Sequence, residues 1–178
     1  MNYQIEKLKI SQVSQFHRVF VELMSEGFEY TPKIKKYFIT NRYTVANFKY
    51  WLKNDYKGVF VVLLRRVQPS RGLNPMQIIG FLVYDAPYGG VLLCRWLGVL
   101  EECRKQGVGK MLAEQAVLEA KALGCHKVEL AGQLTARKFY EKCGFKLEGM
   151  REKSYFGQDQ YLFGKVIGEL EEERVIKY

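Results

Sequence analysis

Between residues 91 and 123 a strand, a glycine-framed turn and a helix follow one another without a spacer, and this succession constrains the fold more than any other feature of the chain. VLLCRWLGV, residues 91–99, is an apolar run of strand length. RKQGVGKML, residues 104–112, then sets Gly107 and Gly109 two apart behind Arg104, Lys105 and Gln106. Val108, Leu112, Ala116 and Leu123 continue as one apolar stripe at helical spacing, and Gly124 suits a left-handed stop. The first four N–H groups of a helix lack partners inside it, and the helix dipole leaves that end positive. Glycines let a bulky group come close to the backbone. Gln106, Gly107, Val108, Gly109 and Lys110 are therefore candidates to cradle an anion through their N–H groups, with Arg104 and Lys105 adding charge.

The rest of the pattern surrounds this unit with more strands and helices. Residues 3–9 alternate as a strand does. Residues 11–26 place Val13, Phe16, Val19, Phe20 and Leu23 at helical spacing, with Ser11 as the expected N-cap and Gly27 as the expected stop. Residues 28–43 read as irregular, and Thr44 is placed to cap a helix over 45–54. Strands are expected at 59–67 and 77–84 around the loop QPSRGLNP, followed by a turn at 84–90. After the central helix come a strand at 126–130, a short helix at 135–142 ended by Gly144, and strands at 145–150 and 160–167. This order predicts one mixed α/β domain over residues 1–168, with 169–178 as a charged, exposed tail.

Composition excludes some classes of protein. A chain of 178 residues is long enough to bury its own core. No apolar run reaches the about 18 residues of a membrane span, and the N-terminus lacks the apolar core of a signal peptide. Cys94, Cys103, Cys125 and Cys143 are scattered without a CxxC pair, which reads as free thiols in a reducing, cytoplasmic setting and not as a metal site. His17 and His126 have no second ligand at metal spacing and read as structural. The net charge of +9 sits entirely in residues 30–72, where ten Lys and Arg face one acid, Asp55. Aromatic residues interleave with those cations, which suits either a solvated helix face over an ordinary core or a grip on nucleic acid.

The glycine motif narrows the anion. A Walker A loop would need Gly where Arg104 stands and Ser or Thr where Met111 stands, and a dinucleotide fingerprint would need Gly at Leu112. The pattern that remains is R-x-x-G-x-G at Arg104, Gly107 and Gly109. It resembles the pyrophosphate loop of the GNAT superfamily of acetyl-CoA-dependent N-acetyltransferases. Downstream, TARKFYEKCGF is similar to that family's A-x-x-x-Y-x-x-x-G-F segment, with Ala136, Tyr140, Gly144 and Phe145 in the matching places. The likeness runs from about residue 78 to 167, and the earlier part of the chain matches only in element order. Three positions depart from the pattern. Glu101 stands where the family often has Pro, Cys103 where it often has an aromatic, and Gln133 where an Asn often contacts the cofactor arm.

The resemblance implies a central, mostly antiparallel twisted sheet with one splayed parallel pair ending near Val99 and Leu130, flanked by helices. Acetyl-CoA would lie in the splay, its pantetheine arm along Leu97, Gly98 and Val99, its pyrophosphate at residues 104–110 and its arm near Gln133. A primary amine on a small molecule or a protein N-terminus would attack the thioester directly in a ternary complex. Tyr140 would act as general acid toward the leaving thiolate, and no metal is needed. Candidates for the base are Glu22, Glu26, Glu29, Glu101, Glu102 and Glu129, or a water chain. Residues 24–43 and 152–160 would line the acceptor, with Tyr30, Tyr37, Tyr155 and Phe156 as an aromatic wall. The basic segment argues against a polyamine acceptor. A non-catalytic acyl-CoA sensor and a nucleic-acid-binding module acting through residues 30–72 are the alternatives. A homodimer is common in such folds, and no membrane association is expected.

Overall fold

The computed structural model describes residues 3–65 and 76–176. The loop read at 68–75, the last residues of the strand read at 59–67, the end of the basic segment and the last two tail residues lie outside the described residues. Seven strands form one sheet: β1 Tyr3–Lys7, β2 Lys57–Arg65, β3 Met76–Asp85, β4 Val91–Val99, β5 Lys127–Gly132, β6 Lys146–Tyr155 and β7 Gln158–Val166. Their order is β1-β2-β3-β4-β5-β7-β6. β4 and β5 run parallel, while β1 with β2, β5 with β7 and β6 with β7 run antiparallel. The helices are α1 Val13–Gly27, α2 Pro32–Tyr37, α3 Val45–Lys53, α4 Val108–Ala122, α5 Arg137–Lys142 and α6 Glu172–Val175. The expected mixed α/β architecture, a mostly antiparallel sheet with one parallel pair and flanking helices, is the observed one.

By its internal contacts the chain divides into two compact units, Met1–Val83 with Trp96–Leu112, and Tyr84–Arg95 with Ala113–Tyr178. In the first, α1 buries Val13, Phe16, Val19, Phe20, Leu23 and Met24 along one stripe. Phe16 meets Phe48 edge-on at 4.8 Å and Phe81 at 5.2 Å, so α1, α3 and β3 share an aromatic core. Such pairs add about 0.5–1.5 kcal/mol each beyond area burial. Thr44 caps α3 as expected, its hydroxyl accepting the Asn47 N–H at 3.1 Å.

Three local readings are corrected in this unit. Ser11 caps nothing, because a short 3₁₀ turn, Ile10–Gln12, precedes α1 and the Gln12 side chain takes the Lys9 N–H instead. Gly27 ends α1 from inside the helix, without a left-handed φ, and Phe28 is extended. Residues 28–43 are not irregular. Thr31 caps α2 with Pro32 at its first turn, and a five-residue π turn, Phe38–Arg42, leads on to α3. The Thr-Pro pair was the available signal, since proline favours the first helical position.

In the second unit Gly124 and Gly144 take the left-handed conformations expected of helix stops. The helix read at 135–142 starts as a 3₁₀ turn, Leu134–Ala136, and continues as α5. The segment expected to be a loop at 152–160 is instead the tip of the β6–β7 hairpin, where only Phe156 and Gly157 lie outside the strands. Both have positive φ, 51° and 75°, as a turn that matches strand twist requires. The tail is exposed, yet it folds back within this unit. Arg174 bonds the Ala122 carbonyl and packs over Gly124, and Leu170 packs against Gly90.

Candidate active site

The expected anion loop lies in the first unit. β4 ends at Val99, and the Leu100 N–H bonds the Ile79 carbonyl at 2.9 Å. A 3₁₀ turn, Glu101–Cys103, then swings the chain outward before α4 starts at Val108. Lys105 and Gly107 have positive φ, 59° and 85°, on either side of Gln106. Such changes of hand turn successive N–H groups toward a common point, which is how backbone concavities bind anions. The first i→i−4 bond of α4 runs from Met111 to the Gly107 carbonyl at 3.0 Å, so earlier N–H groups stand at the open end.

Side chains fix this geometry from below and leave it clear above. Val108 and Leu112 are buried, whereas Arg104, Lys105, Gln106, Gly107 and Lys110 are exposed. The Arg104 guanidinium donates to the Val99 carbonyl at 3.1 Å, tying the loop to the strand end. Gln106 donates to the Glu102 carbonyl at 2.8 Å and accepts from the Tyr3 hydroxyl. A Cβ on Gly107 would meet nothing within 4 Å. Protein packing therefore does not demand glycine there. Its φ does, and the room above it is free for a ligand.

β4 presents the remaining strand candidates. Trp96 and Gly98 face the core, where Leu23 and Phe81 pack on Gly98, and Leu97 and Val99 lie half-buried on the other face. The parallel ladder with β5 runs from Val91 opposite Lys127 to Cys94 opposite Leu130. β5 goes on pairing with β7 as far as Gly132 opposite Tyr161. The end of β5 at Gly132, beyond the expected Leu130, adds the residue that seats Tyr140.

Tyr140 lies in the second unit, on α5. Its ring packs against Phe163 at 4.9 Å, Phe139 at 5.1 Å and Phe145 at 6.2 Å. A Cβ on Gly132 would come 2.9 Å from the Tyr140 ring, so only glycine admits the tyrosine at this position. Burial, with smaller contributions from Cys94 and Cys143, pushes the Tyr140 hydroxyl well above the ordinary phenol range. Burial and then Asp85 push the Cys94 thiol up to about 12. Both groups stay protonated at any ordinary pH. Gln133 precedes the 3₁₀ turn with its carbonyl on the Ala136 N–H at 3.0 Å, and its side-chain amide makes no cap bond.

The base candidates fare unequally. Glu22, Glu26, Glu29, Glu101 and Glu102 are exposed. Glu129 is bound to Lys127 at 2.7 Å, and the same ammonium holds Glu148 at 2.8 Å. Of the expected aromatic wall, Tyr30 packs on Phe38 at 5.3 Å and Trp96 at 6.3 Å, Tyr37 packs on Phe38 at 5.9 Å, and Tyr155 and Phe156 meet edge-on at 4.9 Å. Trp96 was not singled out from the sequence. It is buried among Phe20, Phe28, Tyr30, Phe38 and Tyr43, and its indole N–H has no partner. His17 is structural, as expected. It donates through Nε2 to the Tyr43 carbonyl at 2.9 Å, and burial lowers its pKa. None of the four cysteines is in a disulfide, and among the described residues no cluster of three or more His, Cys, Asp or Glu could hold a metal ion. No helix among the described residues is long and apolar enough to cross a membrane.

The fold and sequence both have known relatives. The PaiA N-acetyltransferase of Thermoplasma acidophilum, solved in complex with coenzyme A, superposes with a TM-score of 0.71 at 17% identity, over 93% of this chain and 99% of that one. A GNAT-family acetyltransferase from Streptococcus pneumoniae gives 0.72 at 20% identity, over 94% and 100%. A chimera of the Vibrio cholerae spermidine N-acetyltransferase SpeG with hSSAT gives 0.66 at 16%, over 94% and 96%. No curated protein matches the sequence. The profile of the acetyltransferase (GNAT) domain matches residues 57–147, just over half of the chain, from β2 to the first residues of β6. The chain belongs to the GNAT acetyltransferase family.

Proposed function

We propose that the protein transfers the acetyl group of acetyl-CoA to a primary amine by direct attack. The observation that carries this reading is the loop at Arg104–Lys110. It combines two left-handed residues, an open helix start, exposed cations and empty space above Gly107. An anionic diphosphate fits such a loop. Arg104, Lys105, Gln106, Gly107, Val108, Gly109 and Lys110 are assigned to it, with Leu97, Gly98 and Val99 along the pantetheine arm and Gln133 offering an amide to it. When bound, acetyl-CoA supplies an activated acyl group and a thiolate leaving group.

Tyr140 is assigned as the proton donor. The new N–C bond forms as the C–S bond breaks, the amine proton passes to a base or to water, and the sulfur takes a proton from Tyr140. A phenol with a raised pKa would be a poor donor to an ordinary thiolate of pKa about 8.5. Burial raises a thiol as well as a phenol, as it does the nearby Cys94 together with Asp85. A departing thiolate held in equally buried surroundings would also gain basicity, which would keep the transfer feasible. A positioned acid contributes roughly 10²–10⁴ in rate. No single carboxylate is favoured as base, because five of the candidates are exposed and Glu129 is ion-paired.

The acceptor is assigned as the amine of a small molecule or a protein N-terminus. The SpeG chimera is named for spermidine, but the excess of cations in this chain's residues 30–65 disfavours a polycation here. The test is amine-dependent release of CoA thiol from acetyl-CoA across a panel of amines. Wild type should turn over with at least one amine. Tyr140→Phe, which keeps the ring packing, should lose roughly 10²–10⁴ in kcat while binding acetyl-CoA as before. Equal turnover by the variant would remove Tyr140 from the chemistry. Acetyl-CoA binding without turnover on any amine would favour the sensor reading.

A further inference from the structure

We propose that the exposed face of α3 and the turn before it form a binding surface for single-stranded RNA. Lys49 and Lys53 stand one turn apart on the solvent side of α3. Like charges at this spacing repel and weaken the helix, so the pair does nothing for the fold. Arg42 is exposed in the turn before α3, with its guanidinium 5.2 Å from the Trp51 ring. None of the three has a carboxylate partner among the described residues. Asp55 is the sole acid between Tyr30 and Lys57.

Charge alone would suit any polyanion, but the aromatic residues are more selective. Tyr50 and Tyr56 are 56% and 55% exposed, and their rings pair at 5.8 Å next to these cations. Two large rings held in water with cations around them form a stacking platform for bases, and a cationic surface beside it tracks phosphates. A duplex hides its base faces, whereas a single strand offers them. An acidic protein would satisfy the lysines and leave the rings wet. Both rings are tyrosines, whose hydroxyls can pair with the ribose 2′-OH that separates RNA from DNA. The surface is independent of the acetyl-transfer reading.

The test is fluorescence anisotropy of labelled oligouridine with the full chain over a salt series, with the deoxy strand and polyglutamate as competing probes. Oligouridine should bind, with log K falling against log salt at a slope of about −2 for three neutralised phosphates. Lys49→Gln with Lys53→Gln should flatten the slope by about 1.4. Tyr50→Ala or Tyr56→Ala should weaken binding about 5- to 150-fold at an unchanged slope. All four side chains are exposed, so each variant should keep the wild-type melting transition, which separates lost binding from lost folding. Absence of binding at low salt, unchanged binding in the variants, or equal affinity for polyglutamate or for the deoxy strand would each overturn the assignment to RNA.

Discussion

Tyr140 depends on neighbours that lie far from it in sequence. Gly132, at the end of β5, leaves the space its ring fills, and Phe163 of β7 backs it. Gly132→Ala should therefore act at a distance. The added methyl, 2.9 Å from the ring, must push Tyr140 aside, so kcat should fall at least tenfold while acetyl-CoA affinity changes little. Steady-state kinetics beside a binding titration would separate the two effects, and an unaltered kcat would mean that the ring position is not critical. Tyr140 itself was legible, because it sits in a segment whose spacing is distinctive. The need for Gly132 was not, since the contact joins β5 to α5 and leaves no periodic trace. Trp96 was missed for a related reason. It reads as one more apolar residue in a strand, and only the fold reveals that its indole N–H is buried without a partner.

At the level of elements, the strand, loop and α4 were readable because each carries its own signal: an apolar run, paired glycines and a helical stripe. α2 and the β6–β7 hairpin were not read. α2 is six residues long, buries none of its side chains and shows no amphipathic stripe. The hairpin turns on Phe156-Gly157 rather than on the usual Asn-Gly pair. His17 connects α1 to the segment before α3 and gives this part of the fold a pH dependence. Its pKa is lowered by burial, so the unfolded chain takes up the proton first. Stability from His17 is present above the unfolded value of about 6.5 and is lost as pH falls below it and through the lowered folded value. Thermal melts should show the midpoint dropping between about pH 7.5 and 5.5, and His17→Gln, which can still donate to the Tyr43 carbonyl, should flatten that slope. A slope unchanged by the substitution would place the dependence elsewhere.

For the whole molecule, the family follows from the profile match over residues 57–147 and the fold from relatives that share under a quarter of their residues with this chain. Distant likeness of that kind carries architecture, and the chemistry rests on this chain's own residues. Of these, the loop before α4 bears most weight. Its direct test is calorimetric titration of acetyl-CoA into the purified wild-type protein and into Gly107→Glu. In the variant a carboxylate replaces empty space at a backbone position with φ +85°, opposing an anion by charge as well as by strain. Saturable binding to wild type that the substitution abolishes, in a variant that still melts cooperatively, is the predicted result. Failure of wild type to bind acetyl-CoA, or binding untouched by the substitution, would contradict the assignment of this loop as the diphosphate site.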